Sequence, residues 1–397
     1  MKEIEPNETM AELRIIISVV ASLGLQFFAA AALPLLLGGM ADRIALRPSQ
    51  LGLLGTLELA AIAVSASGVA PFAARRSRVA FAIAGCILTA AGQLMTAAVA
   101  TFELLAISRI LAGFGMGISA GAAQAAVASS KRPERVFGIY FALSTALGTL
   151  LLLLLPRLIA DHGYSAGYMT LGFIAILAIP LVIWLPPRQL LTNAPESALA
   201  ADTPQRLIAF PALIALALIA ASDYGTWTFV ERIGASTGLT PDGVGEALAI
   251  ATLAGSAAAA LMAWGGARLG RLIPVVVSFS LMTAVVVPLV ISSSPASFVP
   301  LLIIWSASVF IAYSYVMGGL AAADPSGRLS AIAAGVRSIG AAVGPSAAGL
   351  VVAAAGYQKL GLMVGGWCAA GLLLSIPLSV YLSRRGSSRG LHFRAAH

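Results

Sequence analysis

The side chains able to do chemistry are few, and four of them stand where charge is hardest to keep. Glu58, Arg109, Asp223 and Arg337 each fall inside a long run of apolar residues. Placing an ionisable group at the centre of a bilayer costs at least about 2.5–3.5 kcal/mol, so such a group is kept for a pairing or a function. A carboxylate that alternately gains and loses a cationic neighbour can carry a proton, which makes Asp223 and Glu58 candidate proton-coupling acids. A guanidinium can hold a substrate carboxylate through two parallel hydrogen bonds, which makes Arg109 and Arg337 candidate substrate anchors. Arg109 and Asp223 each lie about seven residues, or ~10 Å, below the same end of their apolar runs, and equal depth lets them meet.

Aromatic and amide side chains supply the rest of a site. Gln26 is followed by Phe27 and Phe28, as Asp223 is followed by Tyr224, Trp227 and Phe229, and Tyr140, Trp305 and Tyr313 lie in other apolar runs. As a set, Gln26, Phe27, Tyr140, Tyr224, Trp227, Trp305 and Tyr313 would line a pocket with apolar walls and a few polar anchors. Taken singly, each also suits core or interface-belt packing. Catalytic chemistry finds little to work with. The three histidines, His162, His392 and His397, lie outside the apolar runs, which excludes a His-based triad or a metal cluster within them. There is no Walker loop for ATP, and Cys86 and Cys368 have no metal or redox spacing. No metal and no cofactor is expected, and the energy source is expected to be a proton gradient.

Such side chains need a scaffold that spans a membrane. Of 397 residues 59% are hydrophobic and 10% charged, with a mean hydropathy of +0.95, where a soluble domain is about 25% charged. Runs of about 20 apolar residues predict spans near 15–40, 49–70, 79–100, 103–127, 137–157 and 167–186. Beyond a polar stretch rich in proline, six more are predicted near 207–230, 243–265, 272–293, 297–321, 330–354 and 361–383. The expectation is an all-α membrane protein with twelve transmembrane helices. An N-terminal six-helix bundle covers 1–186, a cytoplasmic linker 187–206, and a C-terminal six-helix bundle 207–397, with a basic, disordered tail from Arg384. The formal net charge of +8 does not point to nucleic acid, because the basic residues gather in the loops of one side. About seventeen Lys and Arg fall on the side of the termini and about five on the other, which predicts both termini in the cytoplasm and a bacterial inner-membrane location.

A short basic turn, Ala74-Arg75-Arg76-Ser77-Arg78, returns 193 positions later as Ala267-Arg268-Leu269-Gly270-Arg271. Each copy sits between two apolar runs, so the chain holds an internal repeat of about half its length. Twelve spans in two sixes, a connector, and a basic turn after the second span of each half resemble the major facilitator superfamily of secondary transporters, over nearly the whole chain. Arg75, Ser77 and Arg78 match the Arg, Gly and next Arg of that family's loop motif Gly-x-x-x-Asp-Arg-x-Gly-Arg-Arg, while Ala74 and Ala267 replace its Asp. The segment from Arg109 through Gly113, Gly115 and Gly117 is similar to the family's Arg-plus-glycine motif on the fourth span. Gly344-Pro345 resembles a Gly-Pro motif that antiporters of the family carry on the fifth span, but here it stands on the eleventh.

The resemblance implies two bundles related by a pseudo-twofold axis and rocking around a midplane site, with Arg75, Arg78, Arg268 and Arg271 as gating-loop residues. It also implies that spans two and eleven meet between the halves, so Glu58 is the expected partner of Arg337 if Arg337 is not itself an anion site. The function it implies is proton-coupled uptake of a small organic anion, aromatic anions included, by alternating access. Proton-coupled efflux of drugs or metabolites is the alternative, and a non-transporting receptor or scaffold is a reading of another class. Partners are expected to be a small-molecule substrate and the lipid bilayer, with no nucleic acid and a monomeric chain.

Overall fold

The computed structural model describes residues 6–73, 77–128, 130, 133–186, 203–265, 270–324 and 328–394. Eleven continuous helices run through them: α1 (Pro6–Arg43), α2 (Pro48–Ala73), α3 (Arg78–Ala98), α4 (Phe102–Ala128), α5 (Pro133–His162), α6 (Tyr164–Val182), α7 (Thr203–Ser236), α8 (Pro241–Gly265), α9 (Leu272–Val290), α10 (Pro295–Ala323) and α11 (Arg328–Arg394). All eleven are long and apolar enough to cross a bilayer. Proline opens α2, α5, α8 and α10, at the one helical position where a missing N–H costs nothing. Ser294 caps α10 through the Ser297 N–H and Ser77 caps α3 through the Ala80 N–H, each satisfying one free donor.

The last helix accounts for the twelfth span. Sixty-seven continuous helical residues would extend roughly 100 Å, three times the ~30 Å hydrocarbon core. Gly356 breaks the run with φ 77° and ψ −179°, a conformation open almost only to glycine. Gly163, 193 positions earlier, separates α5 from α6 with nearly the same angles, φ 80° and ψ 172°. The two glycines make the same turn in the two halves, so α11 is two spans, one on each side of Gly356. The helix continues to Arg394, a correction to the disordered tail expected after Arg384.

The chain divides into two compact units, Met1–Ala194 and Pro195–His397. Unit 1 pairs α1 with α5, α2 with α4, and α3 with both α4 and α6. Unit 2 repeats the scheme: α7 pairs with α11, α8 with α10, and α9 with both α10 and α11. Glycines decide which surfaces meet. The limb of α11 before Gly356 lies on α7, where Gly344 faces Ala221 and Gly225. The limb after it lies on α9, where Gly361, Gly365 and Gly371 face Val287, Val286 and Phe279. In unit 1, Gly113 and Gly117 seat α4 directly on the backbone of α2 at Glu58 and Ile62. Small residues that let backbones touch are what hold helices together where the surrounding solvent is as apolar as they are. The linker expected over 187–206 lies mostly outside the described residues, as do Arg75 and Arg268 of the two basic turns.

Candidate functional site

The four intramembrane charges form two clusters, each within one unit, and the partners differ from those expected. Arg109, Gly113 and Gly117 are spaced four apart on α4 and so share one face, and that face is the one pressed on α2. Close approach therefore delivers Arg109 to Glu58, whose Oε1 accepts from Nη1 at 3.2 Å. The other arm of the guanidinium donates to Gln93 Oε1 at 2.8 Å and to Thr96 Oγ1 at 2.6 Å, and Nε reaches the same Thr96 oxygen at 3.2 Å. The Thr96 hydroxyl in turn lies 2.8 Å from both the Gly92 carbonyl and Ser108 Oγ. The Tyr168 ring on α6 covers the guanidinium face, with 4.5 Å from Cζ to the ring centroid, a cation–π contact.

Helices α2, α3, α4 and α6 all contribute to this cluster, and it is closed: Arg109 is 1% and Glu58 3% exposed. Two expectations are corrected here. Glu58 pairs with Arg109, not with Arg337. Four of the five Arg109 N–H groups are committed to side chains of its own unit, which leaves no free pair of donors for a two-bond grip on Asp223 or on a substrate carboxylate. The equal-depth argument fails for a related reason. Helix α7 continues past Val230 to Ser236, so Asp223 stands roughly 20 Å from that end of its helix.

The second cluster lies in unit 2. Asp223 and Tyr224 come from α7, Tyr313 from α10, and Arg337 from the first limb of α11. The Arg337 Cζ lies 5.9 Å from the Tyr313 ring centroid, with the Tyr224 hydroxyl beside the guanidinium and Asp223 within reach of its charge. The Tyr313 hydroxyl faces both ionic groups without closing a hydrogen bond to either, and among the described residues no contact ion pair joins Asp223 to Arg337. All four side chains are half-buried rather than sealed. Behind them the Cys368 thiol donates to Ser222 Oγ at 3.7 Å, a packing contact that ties the second limb of α11 to α7. Both clusters hold donors and an acid, but this one keeps open valences where those of the first are almost all filled.

The other candidate residues are spread between the units. In unit 1, Gln26 and Phe27 are half-buried on α1, and Phe27 meets Phe141 of α5 edge-on at 6.2 Å. Gly148 of α5 leaves the room that the Phe27 ring occupies. Tyr140 is buried and packs edge-on against Phe137 at 5.5 Å. In unit 2, Trp227 is half-buried on α7, while Trp305 is sealed in α10 at 1% exposure. Of the turn arginines, Arg78 is buried at the start of α3 and Arg271 is half-buried before α9. Sequence reasoning missed Gln93, Thr96 and Tyr168. The signal was present: Gln93 and Thr96 are polar, one turn apart, inside an otherwise apolar span. Among the described residues no group of His, Cys, Asp and Glu could hold a metal ion.

The family model of the Major Facilitator Superfamily matches residues 16–213. The chain belongs to this superfamily. Its members are transporters, so the protein is a membrane transporter rather than an enzyme. Solved structures of the superfamily match almost end to end. A bacterial homolog of the human lysosomal transporter Spinster, inward-facing and occupied, aligns with a TM-score of 0.70 and 15% identity, covering 96% of this chain and 98% of that one. The same homolog, inward-facing and unoccupied, gives 0.68 at 15% identity with the same coverage. A point mutant of the nucleoside transporter NupG gives 0.70 at 14% identity, covering 93% and 99%. None of the curated proteins matches. At these identities the likeness is one of fold.

Proposed function

We propose that the protein is a proton-coupled secondary transporter that takes up a small organic anion by alternating access, with both termini in the cytoplasm of a bacterial cell. The observation that carries this reading is the half-buried cluster of Asp223, Tyr224, Tyr313 and Arg337. Arg337 offers a planar fork that can grip a carboxylate, and the two tyrosine hydroxyls supply further donors with apolar ring faces beside them. This geometry favours Arg337 over Arg109 as the substrate anchor. Asp223 shares the cation's field without being locked to it. An incoming anion that engages Arg337 lowers the cation's hold on Asp223 and favours its protonation, and departure of the anion reverses this. Substrate and proton therefore load together, which is the requirement for symport. Glu58, held by Arg109, is assigned to the scaffold in this reading.

Reconstituted proteoliposomes test it. Labelled aromatic and aliphatic carboxylates, with a nucleoside as the uncharged comparison, are offered with and without an inward pH gradient. Accumulation of a carboxylate that depends on the gradient supports the reading. Gradient-independent exchange alone refutes the coupling, export against the gradient favours the efflux reading, and transport of only neutral or cationic solutes refutes the anion assignment.

A further inference from the structure

The charge around the Asp223–Arg337 cluster can be counted helix by helix. Helix α7 supplies Asp223 itself and the uncharged phenol of Tyr224. Helix α10 carries no charged side chain and presents the phenol of Tyr313. The first limb of α11 supplies Arg337, and the second limb presents the Cys368 thiol, which donates to Ser222 Oγ beside Asp223 at 3.7 Å. The other charged residues of α7 and α11 stand near helix ends or beside the Gly356 turn, and of these Glu231 and Arg232 pair with each other at 3.3 Å. Helix α8 holds its charges, Asp242 and Glu246, within its first six residues. Among the described residues, the interior of unit 2 therefore contains one carboxylate and one guanidinium. In unit 1, Glu58 and Arg109 offset each other at 3.2 Å in a sealed network, so that unit adds neither a second anion site nor a second proton carrier.

Two loading states of this cluster are neutral. Empty, the Asp223 carboxylate offsets the Arg337 guanidinium. Loaded, a proton from the outer water sits on an Asp223 carboxyl oxygen, and a single carboxylate on the substrate takes over as the counterion of Arg337. A proton without the anion leaves one positive charge, and the anion without the proton leaves one negative charge. Either half-loaded form keeps an uncompensated charge inside the apolar spans, which is costly, so the two ions travel together. A dianion with one proton keeps the same negative charge, and among the described residues the interior of unit 2 holds no further cation or acid to cancel it. Building on the symport reading above, we infer that the cluster carries one monovalent anion with one proton, moves no net charge in a cycle, and refuses dianions.

The test uses the full-length protein in proteoliposomes and two pairs of labelled probes that differ by one charge at nearly constant shape: 4-carbamoylbenzoate with terephthalate, and succinamate with succinate. The pH is kept where all four are fully ionised, and passive entry into protein-free vesicles is subtracted. At least one of the two amides should accumulate about tenfold across an inward gradient of one pH unit, the limit for one proton per monoanion. That value should hold within about twofold when potassium and valinomycin set an inside-negative potential, because a neutral load does no work against the field. Its dicarboxylate twin should enter at least about tenfold more slowly. A twin carried equally well, accumulation that changes severalfold with the potential, or accumulation approaching the square of the proton ratio would overturn the inference and leave proton-coupled anion uptake standing. Entry that ignores the pH gradient, or no entry of any of the four probes, would instead refute the symport reading and the inference with it.

Discussion

Removing Arg109 alone should unfold unit 1 far more readily than removing Arg109 and Glu58 together. In Arg109→Gln, the Glu58 carboxylate at 3% exposure loses its 3.2 Å partner, and Gln93 and Thr96 lose the donor that three hydrogen bonds supplied. Breaking a buried pair from one side costs about 3–5 kcal/mol, or two to nearly four decades in the unfolding equilibrium at ~1.4 kcal/mol per decade. Replacing both partners, Glu58→Gln with Arg109→Gln, leaves two amides able to bond each other and should recover most of that loss. The measurement is unfolding in mixed micelles by steric trapping, with the four corners of the double-mutant cycle compared. Substrate affinity in the double variant should stay within a few-fold of wild type. A loss under about 1 kcal/mol in Arg109→Gln, or a double variant no milder than the single ones, would refute the reasoning. An intact fold with abolished substrate binding would return Arg109 to the anchor role.

Asp223→Asn should retain substrate exchange across the membrane and lose accumulation driven by a pH gradient, both read from labelled solute in proteoliposomes. Arg337→Lys should weaken substrate binding tenfold or more by calorimetry, because a point charge cannot reproduce the planar fork. Gly344→Ala should destabilise unit 2 by about 1–3 kcal/mol through overpacking, since its new methyl would press on the α7 backbone at Ala221 and Gly225. Gly318→Ala, inside α10 with open space around it, should instead stabilise the unit by up to about 1 kcal/mol in the same unfolding assay. Gly356→Ala forces a methyl onto φ 77° and should cost about 1–2 kcal/mol, seen as a lowered unfolding midpoint.

Much of the scaffold could be read from the sequence because hydropathy reports a span directly. The predicted runs match α1 to α10 with shifts of a few residues at most ends, and the basic turns 193 positions apart foretold a repeat now visible in the helix pairings and in the matching turns at Gly163 and Gly356. The ion pairs were misassigned because depth was judged from hydropathy limits, and α7 keeps its helix six residues past Val230, to Ser236. The stripe Arg109, Gly113, Gly117 held better information than depth did. Glycines four apart fix which helix comes close, and the residue one turn further along the same face must then meet that neighbour. Read this way, Arg109 needs a partner on the helix that the glycines touch, and Glu58 with Ile62 and Ser65 supplies the matching face of α2.

The repeat also separates what a fold requires from what a function adds. Both units use the same helix pairings and the same glycine turn, so those features serve packing. The polar residues do not repeat. Unit 1 spends its arginine on a sealed network in which every guanidinium arm is occupied, while unit 2 keeps an arginine, an acid and two phenols half-buried and incompletely paired. A closed network rigidifies the helices it joins. An open one can change partners at small cost, and ligand binding and proton exchange both require a change of partners. The division of labour follows from side-chain saturation within each unit. In the function proposed here, that division puts the chemistry on α7, α10 and the first limb of α11, and the mechanical role on α2, α3, α4 and α6.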